Sequence, residues 1–200
     1  MPETIYEIEK VGSERATELV RDWYTTLDEI KASRVEISGP HADLLTEEQR
    51  LQAAADAKAQ KAAQKAQEYR SDYEELTQGR NDAVRSRTRK LHKELMTVES
   101  TSALAEARKG DVGALLDMVD MAAHAGNPEF ARAAFSVAAK RQLGDVVAAY
   151  FDKVAPEARD LYAEYSQAPT EETLENRLAD AARIFAAPDP RSLIPVAAVY

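Results

Sequence analysis

The residue types that most often do chemistry are scattered singly through this sequence. The three histidines, His41, His92 and His124, lie far apart, and none has a second histidine four residues away, the spacing that would place two metal ligands on one helix face. Carboxylates are plentiful, but no pair stands out, and acid–base catalysis needs a shaped, partly desolvated pocket. Glycine-rich phosphate loops and serine elbows do not occur. The sequence therefore predicts no catalytic, cofactor-binding or metal-ligating residue, and we expect a protein that is not an enzyme.

The best candidate for binding is a run of basic residues in an otherwise acidic chain. The net charge is −9, and residues 51–100 alone have a positive balance, with ten basic and eight acidic residues. The run consists of Arg80, Arg85, Arg87, Arg89, Lys90 and Lys93. Such a run binds phosphates in a salt-dependent way, but no aromatic side chains for base stacking lie among these residues. We predict that it contacts an acidic protein surface, such as residues 1–50 of the chain itself, with nucleic acid as the alternative partner.

The composition favours helices and an intracellular setting. The chain has no cysteine, which rules out disulfides and thiolate metal sites. No apolar run approaches the roughly 18 residues of a membrane-spanning helix, and the first residues do not resemble a signal peptide. Seven glycines and eight prolines are too few for a turn-rich sandwich or barrel. We therefore expect a soluble, cytoplasmic, all-α protein with no membrane partner.

The basic run belongs to a long alanine-rich segment that should be helical. Thr46 and Gln49 form a capping box, which predicts a helix start at Thr46. Beyond it, apolar residues recur in alternating steps of four and three, the heptad spacing of a helix–helix seam. The seam consists of Ala55, Ala59, Ala62, Ala66, Tyr69, Tyr73 and Leu76. Because alanine is small, a partner helix can approach this seam closely, within the chain or in another subunit.

The seam slips near the glycine at position 79. Its phase would continue to Arg80 and Ala83, but the observed apolar stripe resumes at Val84, one residue after Ala83. Gly79 and Asn81 could end one helix and begin the next. Two interpretations of residues 46–98 follow, namely one long helix with a bend or a helical hairpin.

The segments before residue 46 are less regular. Residues 2–12 are compatible with a short helix or a strand, and Ser13 resembles an N-cap for a helix that runs to about residue 32. Residues 34–38 alternate like a strand, which could pair with residues 4–9 in a small β element.

The part that follows residue 100 reads as short helices separated by turn signals. Glycine, proline and asparagine punctuate it and predict helices near 102–109, 112–125, 128–142, 146–154, 157–166 and 171–187. Within it, the offsets of Leu115, Gly126, Ala131, Phe135 and Ala138 resemble one unit of the tetratricopeptide repeat family. A shift by the family's period of 34 residues recovers no second copy, so the resemblance implies one helical hairpin and no repeat array.

Residues 188–200 should form an extended apolar tail. Three prolines prevent a regular helix there. The tail's apolar residues have no periodic partner within the segment, and we predict that they dock on a neighbouring subunit or another protein, with packing on the chain's own bundle as the alternative. These residues are Leu193, Ile194, Val196, Val199 and Tyr200.

The expected organisation is a helix and linker at 1–45, a long coiled-coil-like helix or hairpin at 46–99, a compact helical bundle at 100–187 and the docking tail at 188–200. Because alanine contributes little buried area, assembly could add stability. We expect a structural or connector protein of an oligomeric complex, a homo-oligomer or part of a larger assembly. The alternatives are a helical adaptor, chaperone or regulator and a nucleic-acid-associated protein. The composition resembles that of small helical virion proteins of tailed bacteriophages, which implies a virion as one such assembly.

Overall fold

The computed structural model describes residues 4–38 and 44–193, and within them the chain forms eight α-helices and no strand. The helices are α1 (Ile5–Ala32), α2 (Glu47–Met96), α3 (Thr101–Lys109), α4 (Val112–Ala125), α5 (Pro128–Lys140), α6 (Gly144–Lys153), α7 (Arg159–Ser166) and α8 (Glu171–Ile184). Short 3-10 turns occupy Pro156–Ala158 and Pro190–Leu193. The predicted all-α class is therefore confirmed.

The chain divides into two compact units. Unit 1 comprises Met1–Tyr6 and Ala83–Ala168, and unit 2 comprises Glu7–Asp82 and Pro169–Tyr200. Helices α1 and α2 each supply residues to both units, whereas α3 to α7 belong to unit 1 and α8 belongs to unit 2.

The long alanine-rich segment is one helix of 50 residues, not a hairpin. Its predicted capping box is confirmed, because the Gln49 N–H donates to Thr46 Oγ1 at 3.2 Å and the Thr46 N–H donates to Gln49 Oε1 at 2.9 Å. Gly79 lies inside α2 and does not end it, and a β-carbon at this position would meet no atom of a neighbouring element within 4 Å.

Helix α1 starts earlier than the sequence indicates. It begins at Ile5, so the predicted N-cap at Ser13 is wrong, and residues 4–9 do not form a strand. The Ile5 N–H, an orphan donor at the helix start, bonds to the Glu164 carboxylate at 2.8 Å within unit 1. Residues 34–38 have no regular secondary structure, and the predicted β element is wrong. Five alternating residues are too few to specify a sheet without a paired neighbour.

Unit 1 is built from short helices whose starts match the turn signals. The side chains of Ser100, Asp111 and Asn127 accept N–H groups of α3, α4 and α5, the role of N-cap residues. Phe135 is fully buried at the centre of the core, and its ring stacks on Tyr150 with centroids 4.5 Å apart. Helices α4 and α5 pack on each other as a hairpin.

Unit 2 packs residues 7–32 of α1, residues 47–82 of α2 and the whole of α8 around one aromatic cluster. Trp23 is buried between Tyr69, at a centroid distance of 5.8 Å, and Phe185, at 6.3 Å. The Tyr69 hydroxyl and the Thr26 hydroxyl lie 3.0 Å apart in a hydrogen bond. Leu193, in the last 3-10 turn, is also buried in this cluster.

Replacing Gln142 with glycine should raise the free energy of unfolding by about 1 kcal/mol, because Gln142 has a φ of +59° and left-handed backbone strains any residue with a β-carbon. The Leu143 N–H bonds back to the Ala138 carbonyl at 2.9 Å, which fixes this end of α5. Gly126, with φ +63° at the end of α4, is the matched site, and Gly126→Ala should lower the same quantity. Urea unfolding of both variants measures the changes, and equal stability of Gln142→Gly and the parent would contradict the assignment.

Candidate interaction surfaces

The alanine seam faces α1 within unit 2. Ala62 and Ala66 are buried at 0% and 4% exposure in a cluster with Trp23, Leu27 and Ile30. Ala55 is buried as well, and the remaining seam residues, Ala59, Tyr69, Tyr73 and Leu76, are half-buried. The seam therefore packs inside the chain.

A lysine completes the seam. Lys58 lies between Ala55 and Ala62 on the buried side of α2 and is only 7% exposed. Its ammonium group donates to the Lys31 carbonyl at 2.5 Å, where α1 ends. A cation is favourable at a helix C-terminus, where carbonyl groups lack partners. Lys58 is therefore buried in unit 2 although it is charged.

Two polar residues continue the buried side of α2 near Gly79, where the apolar pattern shifts by one residue. Thr77 and Asn81, each four residues beyond the previous stripe position, are buried at 4% and 0% exposure. Asn81 donates through Nδ2 to the Leu174 carbonyl of α8 at 2.8 Å. From Tyr73 the buried positions follow at steps of four to Thr77 and Asn81, and then at a step of three to Val84. The second step of four in a row produces the one-residue shift of the stripe. Apolar residues alone do not show this continuity, because the buried stripe passes through two polar positions.

The first cation of the basic run belongs to a charge cluster inside unit 2. The Glu9 carboxylate of α1 accepts hydrogen bonds from Nη1 and Nη2 of Arg177, each at 2.9 Å, and also pairs with Arg80. The three side chains are 16–22% exposed. Burial alone would raise the pKa of the Glu9 carboxyl, but the hydrogen bonds and charges of Arg177 and Arg80 hold that pKa below its ordinary value.

A glycine makes room for this cluster. Gly12 lies one turn after Glu9 in α1, and a β-carbon there would overlap the Arg80 side chain, within 2.9 Å of its Cγ. The absence of a side chain at Gly12 thus allows Arg80 to cross α1 and reach Glu9. Glycine in a helix interior costs roughly 0.5–1 kcal/mol relative to alanine.

Arg87 has a comparable partner within unit 1. Its Nε and Nη2 donate to the two oxygens of Glu164 at 2.8 and 2.6 Å. The same carboxylate accepts the Ile5 N–H. The hydrogen bond from Arg87 lowers the pKa of the Glu164 carboxyl, against the opposing effect of burial. The Glu164 carboxylate of α7 therefore binds both the backbone N–H at the start of α1 and the Arg87 side chain of α2.

The rest of the basic run is only partly available to a partner. Arg85 is half-buried and has interactions of its own. Arg89, Lys90 and Lys93 are exposed, and among the described residues they form no ion pair. Of the six predicted cations, Arg80 and Arg87 thus contact acidic groups of the chain itself, while three face solvent.

Helix α4 also has an exposed apolar strip that none of the sequence patterns above predicts. Met121 is 57% exposed, and Ala114 and Ala125 are exposed seven residues before it and four residues after it, on the same side of the helix. Val112, 40% exposed, is the first residue of α4 and lies on the opposite side from Met121. The opposite side of α4 is also apolar, since Leu115, Met118 and Val119 are buried in the unit 1 core. The low charge of α4 is visible in the sequence, since two of its 14 residues, Asp117 and Asp120, are charged.

The histidines do not gather into a metal-binding group in the described part of the chain. Within residues 4–38 and 44–193, no group of three or more histidine, aspartate or glutamate side chains could hold a metal ion. His124 bonds to the Asp120 carbonyl of its own helix at 2.8 Å, and His92 packs on Tyr165. His41 lies outside the described residues. In that same part of the chain, no helix is both long and apolar enough to cross a membrane.

Of the five apolar residues predicted to dock, the structure describes one, Leu193, which is buried in unit 2. The other four, Ile194, Val196, Val199 and Tyr200, lie outside the described residues.

Comparison with known proteins found no matching family model, curated protein or solved structure.

Proposed function

We propose that this protein is a non-enzymatic structural or connector component of an oligomeric assembly, and that copies of the chain contact one another through the outer face of α4. The observation that carries the proposal is a strip on one side of α4 in which Met121 and two alanines, Ala114 and Ala125, are exposed. Exposed apolar residues bordered by polar ones are typical of surfaces that contact other proteins.

The composition of this face suits contact between proteins. Methionine is flexible and polarisable, and it adapts to the shape of a partner surface. Ala114 and Ala125 are small and allow close approach of another helix, while Asp117 adds a single charge among them. Apolar side chains clustered with few charges are typical of the centre of an interface, where charged residues are depleted.

An adaptor that binds a different protein would use the same face, and it is the first alternative. Nucleic-acid binding is the second, and it rests on Arg89, Lys90 and Lys93, the exposed cations of the basic run. It is less well supported because Arg80 and Arg87 are already neutralised by Glu9 and Glu164. A tailed-phage virion is a narrower form of the main proposal, and the composition alone supports it.

Replacing Met121 with glutamate should abolish self-association without unfolding the chain, because a charge would have to be desolvated at the centre of the contact. Met121 is 57% exposed, so the core of unit 1 should tolerate the change. The matched control is Ala105→Glu, at an exposed position of α3. Sedimentation velocity should show a single-chain species for Met121→Glu and parent-like association for the control. Equal association of both variants would exclude the α4 face as the contact.

A further inference from the structure

Unit 2 has an open groove beside the aromatic cluster. Its volume is about 500 Å³, and one wall is α2 while the other is the chain just after α8. The groove is lined by Ala63, Ala66, Gln67, Arg70, Ser71, Glu74, Phe185 and Ala187.

The lining fits an extended, uncharged peptide with small apolar side chains. Ala66 and Phe185 are each 4% exposed and form an apolar floor. Arg70 Nε donates to Glu74 Oε1 at 2.7 Å, so the two charges on the rim already neutralise each other. The amide of Gln67 and the hydroxyl of Ser71 can exchange hydrogen bonds with a peptide backbone. A peptide in an apolar groove combines backbone hydrogen bonds with alternate buried side chains.

The chain itself brings such a peptide to this place. Leu193 is 1% exposed and packs in the same buried cluster as Ala66 and Phe185, two of the lining residues. The next six residues, 194–199, read Ile-Pro-Val-Ala-Ala-Val and carry no charge. Pro195 has no N–H that would need an acceptor in an apolar site.

We propose that residues 194–199 occupy this groove in the same chain. The stretch of α2 from Ala63 to Glu74 is about 16 Å long at 1.5 Å per residue, and six extended residues reach about 20 Å. The segment is therefore long enough to follow the groove from its anchor at Leu193. The site lies in unit 2 and is independent of the α4 face proposed above. It assigns the apolar segment after Leu193 to the chain's own surface, where the sequence alone favoured a neighbouring subunit.

Engineered disulfides test this occupancy directly, because the chain has no cysteine of its own. Val196→Cys is combined with Ala63→Cys in one variant and with Ser71→Cys in another, so that both ends of the groove are sampled. The matched control pairs Val196→Cys with Asp72→Cys, which neighbours Ser71 but is exposed and does not line the groove.

Under mild oxidation, at least one groove pair should form an intramolecular disulfide, seen as a faster-migrating monomer that reductant reverses, and the control should not. Links that join two chains would overturn the proposal and assign the groove to the segment of a second copy. Groove pairs that oxidise no faster than the control would also overturn it and leave the groove to a different peptide.

Discussion

Replacing Ala62 and Ala66 with leucine should lower the free energy of unfolding by about 1–3 kcal/mol at each site, because extra methylene groups cannot fit a close-packed contact. Both alanines are buried against Trp23, Leu27 and Ile30 of α1. Trp23 is the single tryptophan of the chain, so its fluorescence during urea unfolding reports on this cluster.

The matched control for the seam is Ala57→Leu, since Ala57 is exposed on the same alanine-rich stretch of α2. Its leucine should leave the unfolding midpoint nearly unchanged. If the double seam variant unfolds at the same urea concentration as Ala57→Leu, the seam does not hold α1 and α2 together.

Replacing Glu9 with glutamine should lower the free energy of unfolding by about 2–3 kcal/mol at neutral pH, somewhat less than the loss of a fully buried partner. The substitution leaves Arg80 and Arg177, both largely buried, without a compensating charge. Asp28→Asn is the matched control, because Asp28 pairs with Lys31 on the surface of the same helix. Such an exposed pair contributes about 0–1 kcal/mol.

The effect of Glu9→Gln should depend on pH in a defined direction. The pKa of the Glu9 carboxyl is lower in the folded chain than its ordinary value of 4.5. Its stabilising contribution is therefore fully present above pH 4.5 and is lost as the pH falls through the lowered folded pKa. Urea titrations of the parent and Glu9→Gln should converge in acid. A difference between the two that stays constant down to the lowest pH would show that Glu9 acts through packing and not through its charge.

Much of the helical organisation could be predicted because local signals specify it. The capping box at Thr46 and the N-caps at Asp111 and Asn127 depend on residues three positions away, which a sequence shows directly. The start of α1 could not be predicted in this way, because its N–H partner, Glu164, lies 159 residues further along the chain.

The candidate surfaces were harder to predict, because they depend on which polar residues are buried. Thr77 and Asn81 are polar, so an apolar stripe does not include them. Both are buried, and they continue the buried side of α2 on either side of Gly79, which is why one helix fits the pattern as well as a hairpin does. The sequence places Arg80 and Arg87 in one basic run, but their partners, Glu9 and Glu164, are distant in the sequence and neutralise them separately. The sequence pattern shows which residues lie on one helix. Which charges remain exposed depends on how the helices pack, and a local pattern does not show that.

The mass of the unmodified chain in solution tests the proposed function most directly. Sedimentation equilibrium over a wide range of protein concentrations should give a mass that rises above the 22.1 kDa of one chain and levels off at a whole-number multiple of it. Closed symmetric assembly of identical subunits produces such a plateau. A mass of one chain at every concentration would contradict the proposal that copies of this protein assemble through α4.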